Sequence, residues 1–180
     1  MKELCINKKR SFVCSILFFC ICLAFTCCCR KEKLCEGSVY KCFIFPTSSP
    51  QNNYLIEVFD SGMIRTSFGI KSDKILPVIF KDEKINPHKF VFLKSVQQKK
   101  EKHLTKIDIE KIREYASELR GFDCENFFVQ SWANDTWAMI LLIGDEQYIF
   151  LYSDHKKDCL GNMVNLLMKL SPLPVNMSKM

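Results

Sequence analysis

The sequence predicts an α+β domain, with two amphipathic helices packed on one face of a mostly antiparallel sheet of hairpins. Apolar, β-branched runs come in pairs around short glycine-containing turns, which marks hairpins. Two later stretches carry apolar residues at helical spacing. A third observation sets the limits of the domain. Residues 11–29 hold no charge, whereas everything after Arg30 mixes polar and apolar residues.

The elements follow in order. Val39–Phe45 (VYKCFIF) reads as a strand, and Pro46–Asn53 (PTSSPQNN) as a loop by composition. Tyr54–Phe59 (YLIEVF) and Met63–Phe68 (MIRTSF) flank Asp60-Ser61-Gly62 and form the first hairpin. Lys71–Pro87 is polar around an apolar island, Leu76 to Phe80. His88–Val96 alternates, with Phe90, Phe92 and Lys94 on one side and Val91, Leu93 and Ser95 on the other, so a strand is expected. Gln97–His103 (QQKKEKH) reads as a charged connector, a solvated loop or strand end rather than a binding patch.

Thr105 opens the first helix. Asp108 stands three positions on, in a relative of the capping box. Ile109, Ile112, Ala116 and Leu119 form the apolar stripe, and Gly121 supplies a C-terminal stop. Phe122–Asp135 is irregular and aromatic. Thr136–Ile143 (TWAMILLI) and Gln147–Ser153 (QYIFLYS) flank Gly144-Asp145-Glu146 as a second hairpin, and their continuous apolarity predicts central strands. Asp158–Leu170 is the second helix, with Leu160, Met163, Val164, Leu167 and Leu170 on one face and Ser171–Pro174 ending it.

The front of the chain is of another kind. Met1–Arg10 is basic, and Ser11–Thr26 (SFVCSILFFCICLAFT) is an unbroken apolar run. A basic start, an apolar core and small residues at the end describe a secretory signal. "FTCC", Phe25 to Cys28, resembles the relaxed lipobox of lipoproteins from Bacteroides-type bacteria, which implies acylation of Cys28 and cleavage just before it. Cys27 and Cys29 are the alternative sites: Cys27 has the bulkier Thr26 before it, and Cys29 lacks an apolar residue at −3. The expected organisation is a signal peptide over 1–27, a lipid anchor and tether over 28–38, and a domain over 39–180. The competing reading is an uncut helix, since the run is near the lower limit of about 17–25 residues for a membrane span.

Charge and cysteine content narrow the function. The net charge is +6. Four basic residues and one acid ahead of Cys28 carry +3, and the remaining 22 basic and 19 acidic residues carry the other +3. A domain this mildly basic lacks the charge excess of a nucleic-acid binder. Of eleven cysteines, seven lie within the first 29 residues, leaving Cys35, Cys42, Cys124 and Cys159 for the domain. Four cysteines allow three pairings, and no pair has CxxC spacing. Acidic neighbours raise the thiol pKa of Cys124 and Cys159, which disfavours a thiolate nucleophile.

The whole chain resembles small uncharacterised cell-envelope lipoproteins of Bacteroides-type bacteria. The matching stretches are FTCC at Phe25–Cys28, FDSG at Phe59–Gly62, LTKID at Leu104–Asp108 and KLSPLPV at Lys169–Val175. The resemblance implies an envelope location and a lipid anchor in a bacterial membrane, on its periplasmic or surface side. It transfers no catalytic residues.

Candidate chemistry is sparse. Asp154-His155-Lys156-Lys157-Asp158-Cys159 places a His near a Cys, but sequence neighbours seldom face one another, and Asp158 reads as a helix N-cap. Asp123, Glu125, Asp135, Asp145, Glu146 and Asp154 lack the dense spacing of a calcium loop. No phosphate-cradling glycine motif occurs. Phe127–Trp137 (FFVQSWANDTW) is the aromatic stretch, with Trp137 expected in the core and Trp132 either there or on a protein- or glycan-contacting surface. The expectation is a non-catalytic binding or accessory module without cofactor or metal. The rivals are a single-pass membrane protein and an envelope enzyme using Cys159 or Cys124.

Overall fold

The computed structural model describes residues 38–81, 83–122 and 136–177, all within one compact unit, Gly37–Met180. The elements are β1 (Ser38–Pro46), β2 (Asn53–Phe59), β3 (Met63–Lys71), α1 (Ile75–Phe80), β4 (Leu93–His103), α2 (Lys106–Glu118), β5 (Trp137–Ile143), β6 (Glu146–Leu151) and α3 (Cys159–Leu170). Six strands make one sheet in the order β4-β3-β2-β1-β5-β6, and each pairing is antiparallel. The α+β class and both hairpins therefore stand as the sequence predicts.

β1 is the centre of the sheet because it is apolar on both faces. Cys42, Phe43, Ile44 and Phe45 are all fully buried. Phe43 lies between Leu55 of β2 and Ile140 of β5. The period of two sorts the side chains into two cores. One joins Cys42, Ile44, Ile56, Ile64, Met139 and Leu141 to Ile112 and Ala116 of α2 and to Leu160, Met163, Val164 and Leu167 of α3. The other joins Phe43, Phe45, Ala138, Ile140 and Ile149 to Ile75, Ile79, Ile85 and Phe92.

That second core corrects the expectation of helices on one face only. α2 and α3 share a face, but α1 and the segment leading to β4 cover the opposite one. The island Leu76–Phe80, to which the sequence assigns no element, thus falls inside a helix. Pro77 is tolerated there because the first-turn N–H groups of a helix have no intrahelical partner.

Two further corrections concern the strands. Of the second hairpin, β5 is interior but β6 is an edge strand. The expected strand over His88–Val96 and the connector Gln97–His103 are redistributed: β4 runs from Leu93 to His103, so QQKKEKH is strand. Phe92 is buried as a plug against Phe43, with ring centroids 5.3 Å apart. The rest of β4 is held by pairing with β3, and every β4 residue after Leu93 is exposed. Apolar periodicity does not reveal a strand that buries nothing.

Local signals hold where they have a partner. The Thr105 side chain accepts a hydrogen bond from the Asp108 N–H at 3.2 Å, and the Asp108 carboxylate accepts from the Thr105 N–H at 3.1 Å. Asp158 caps α3 by accepting from the Gly161 N–H at 3.0 Å. Beyond α3 the chain crosses back over the sheet. Ser171 Oγ and Thr66 Oγ1 are 2.8 Å apart, Leu173 is buried, and the Trp137 indole N–H donates to the Met177 carbonyl at 2.9 Å.

Candidate functional site

A recess among the described residues starts where β1 enters the sheet. Tyr40 pairs with Ile143 at the end of β5, and the Val39 carbonyl accepts from the Gly144 N–H at 3.3 Å. The β5–β6 turn follows, with Gly144 at φ +58°, a conformation that favours glycine. α2 turns Arg113 and Ser117 toward this corner at helical spacing, and Arg120 joins them just past the C-cap Leu119. The result is a groove of about 720 Å³ lined by Tyr40 and Ile143, by the basic Arg113 and Arg120, and by an acidic wall of Asp145 and Glu146. A smaller recess of about 70 Å³ shares Val39, Tyr40 and Arg113 and reaches Asp60 and Gly62.

Hydrogen bonds fix the acidic wall. Tyr148 has one hydroxyl proton and two acceptors, the Leu119 carbonyl at 2.7 Å and Glu146 Oε2 at 2.8 Å. This ties the end of α2 to the β6 side of the groove. Ser117 Oγ is engaged with the Glu114 carbonyl at 2.7 Å. Among the described residues, Arg113 and Arg120 are in no ion pair. The groove therefore offers guanidinium donors and carboxylate acceptors together with the apolar Ile143, which suits hydrogen bonding to a polar ligand.

The His155–Cys159 segment is organised for structure. His155 Nδ1 lies 2.5 Å from Asp158 Oδ2. An ionised carboxylate only accepts, so Nδ1 carries the proton. Asp158 spends its other oxygen on the helix cap. No hydrogen bond joins Cys159 to His155 among the described residues. Burial first, and the Asp158 charge second, push the Cys159 thiol above its ordinary pKa, the direction read from the sequence. Burial pushes Cys42 up to about 12. Both thiols are free.

The remaining expectations divide. Trp137 is core. His88, His103 and His155 stand on separate elements, and Asp154 is apart from the Asp145–Glu146 wall. Among the described residues, no group of three or more His, Cys, Asp and Glu side chains is placed to hold a metal ion. No described helix is long and apolar enough to cross a membrane. Cys27, Cys28, Cys29, the Ser11–Thr26 run, Cys35, Asp123, Cys124, Glu125, Trp132 and Asp135 lie outside the described residues. The groove itself was missed by sequence reasoning. Its residues come from three separate stretches with no shared motif, and only the assembled fold brings them together.

An antiparallel six-stranded sheet with helices on both faces, and a mixed-charge groove at one end, defines the class of the domain. No protein-family model, curated protein or solved structure matches the chain.

Proposed function

We propose that this chain is a cell-envelope lipoprotein, acylated on Cys28 and held to a bacterial membrane through the lipid, whose α+β domain is a non-catalytic binding or accessory module. One observation carries the reading: the order of basic residues, uncharged run and FTCC at the front of the sequence. A lipoprotein cysteine bears several acyl chains, and each buried CH₂ contributes roughly 0.8 kcal/mol, so the cleaved peptide is no longer needed for attachment. All nine described elements lie C-terminal to Cys28, so loss of Met1–Cys27 would take none of them from the domain. The groove at Tyr40, Arg113 and Glu146 supports binding of a protein or glycan ligand. The raised pKa of Cys159 works against the thiol-enzyme alternative.

The test is the intact mass of the protein purified from bacterial membranes. Loss of Met1–Cys27 with the gain of a diacylglyceryl group, with or without an N-acyl chain, is expected, and Cys28→Ala should abolish both. A full-length mass would overturn the reading and make the run from Ser11 to Cys29 a permanent membrane span.

A further inference from the structure

β4 is eleven residues long, lies at the edge of the sheet and buries only Leu93. Ten residues of strand that add nothing to either core are held by pairing with β3 and by a row of charges. Arg65 Nε donates to Glu101 Oε1 at 2.6 Å, and Lys99 Nζ stands 3.5 Å from the same oxygen. The stretch Gln98–His103 pairs with Met63–Phe68 without a bulge, so its outer edge is regular. Among the described residues, no strand pairs with that edge.

The register fixes what the edge presents. The Leu104 N–H donates to the Gly62 carbonyl at 2.9 Å. By the alternation of an antiparallel ladder, Lys102, Lys100 and Gln98 turn their backbone groups inward to β3, and His103, Glu101 and Lys99 turn theirs outward. The side chains divide differently. Lys100 and Lys102 lie opposite Thr66 and Ile64, on the sheet face that carries α2 and α3. Among the described residues, neither lysine is in an ion pair. Lysines on an edge keep two copies from pairing, because like charges meet across the strands. They leave the edge open to a strand of opposite sign.

We propose that the outer edge of β4 receives an acidic, extended peptide as a seventh, antiparallel strand. Backbone groups of Lys99, Glu101 and His103 pair with the peptide, and Lys100 and Lys102 meet its carboxylates across the strand. This surface is separate from the Arg113–Glu146 groove and does not depend on the lipid anchor.

The probe is a fluorescein-labelled ten-residue peptide of alternating Glu and Thr, titrated into the full chain in detergent and read by fluorescence anisotropy. Saturable binding that weakens with salt is expected, with no binding of a Lys/Thr peptide. Two N-methylated versions decide the geometry. With glutamates facing Lys100 and Lys102, the threonine N–H groups point at β4 and the glutamate N–H groups point away. Methylating the threonine nitrogens should weaken binding at least about tenfold. Methylating the glutamate nitrogens should leave it intact. A Lys100→Glu/Lys102→Glu variant, checked for an unchanged thermal transition, should also lose binding. Equal binding of both methylated peptides would overturn strand addition and leave a mere patch of charge, and no binding of the parent peptide would overturn the proposal outright.

Discussion

The indole of Trp137 holds the carbonyl of Met177 at 2.9 Å and so fastens the last described residue of the chain to the first residue of β5. The segment between α3 and Met177 is therefore docked on the domain and adds a buried side chain to it. Leu173 is 4 % exposed, Val175 and Met177 pack on the α2–α3 side, and the Asn176 N–H points at the Tyr54 hydroxyl at 3.4 Å. Leu173→Ala should cost about 2–4 kcal/mol. Trp137→Phe, which removes the N–H donor, should cost about 1–2 kcal/mol. Urea denaturation followed by tryptophan fluorescence or circular dichroism measures both.

The capping box on α2 makes a pH prediction. The Thr105 side-chain hydrogen bond first, and its backbone N–H second, hold the Asp108 carboxyl below its ordinary pKa. A carboxylate depressed in the folded state stabilises the fold above its unfolded pKa, and that contribution is lost as pH falls through the folded value. The loss therefore belongs to the acid side, below about pH 4. Thr105→Ala should cost about 1 kcal/mol at neutral pH. It should also move the Asp108 titration back toward ordinary aspartate, which NMR of the side-chain carboxyl would show.

Thiol accessibility separates the two described cysteines. Cys42 is fully buried in the central strand with its pKa pushed up to about 12. In native protein at pH 8, iodoacetamide should leave Cys42 unmodified until the domain unfolds globally. Cys159, partly exposed at the start of α3, should react in the native state, though more slowly than a free thiol because its pKa is raised. Peptide mapping by mass spectrometry assigns each site. Modification of native Cys42 at the rate of Cys159 would contradict the packing.

Gly161 of α3 has no room for a side chain. A Cβ placed there would stand 1.8 Å from the His155 carbonyl oxygen. The close approach lets the turn before α3 lie against its first turn, where Asp158 caps the Gly161 N–H. Gly161→Ala should therefore destabilise by about 1–3 kcal/mol through forced displacement of the turn, although alanine is the better helix former. A thermal melt that matched the parent protein would refute the contact.

Sequence patterning was informative where a local rule and the tertiary fold agree. Thr105 and Asp108 sit three apart and cap one another, and Asp60-Ser61-Gly62 closes a hairpin with Gly62 at φ +75°. Patterning misled where strand or helix formation depends on a distant partner. Gln98–His103 is strand because β3 lies beside it, with no apolar alternation to announce it. Ile75–Phe80 is helix because Ile75 and Ile79 fill the core under Phe43 and Phe45, although the helix is one short turn and a half with a proline inside. The groove was illegible for a similar reason: Tyr40, Arg113 and Glu146 are far apart in the chain and meet only through the β1–β5 pairing and the course of α2.

That pairing also bears on how the chain is made. Phe43 sits beside Ile140, a partner 97 positions later in the chain. A ribosome adding about 5–20 residues per second needs roughly 5–20 s to deliver the second after the first. Throughout that interval one flank of β1, with its buried run Cys42–Phe45, has no mate and stays a sticky seam. Until β5 emerges, chaperones have a window in which to cover that seam.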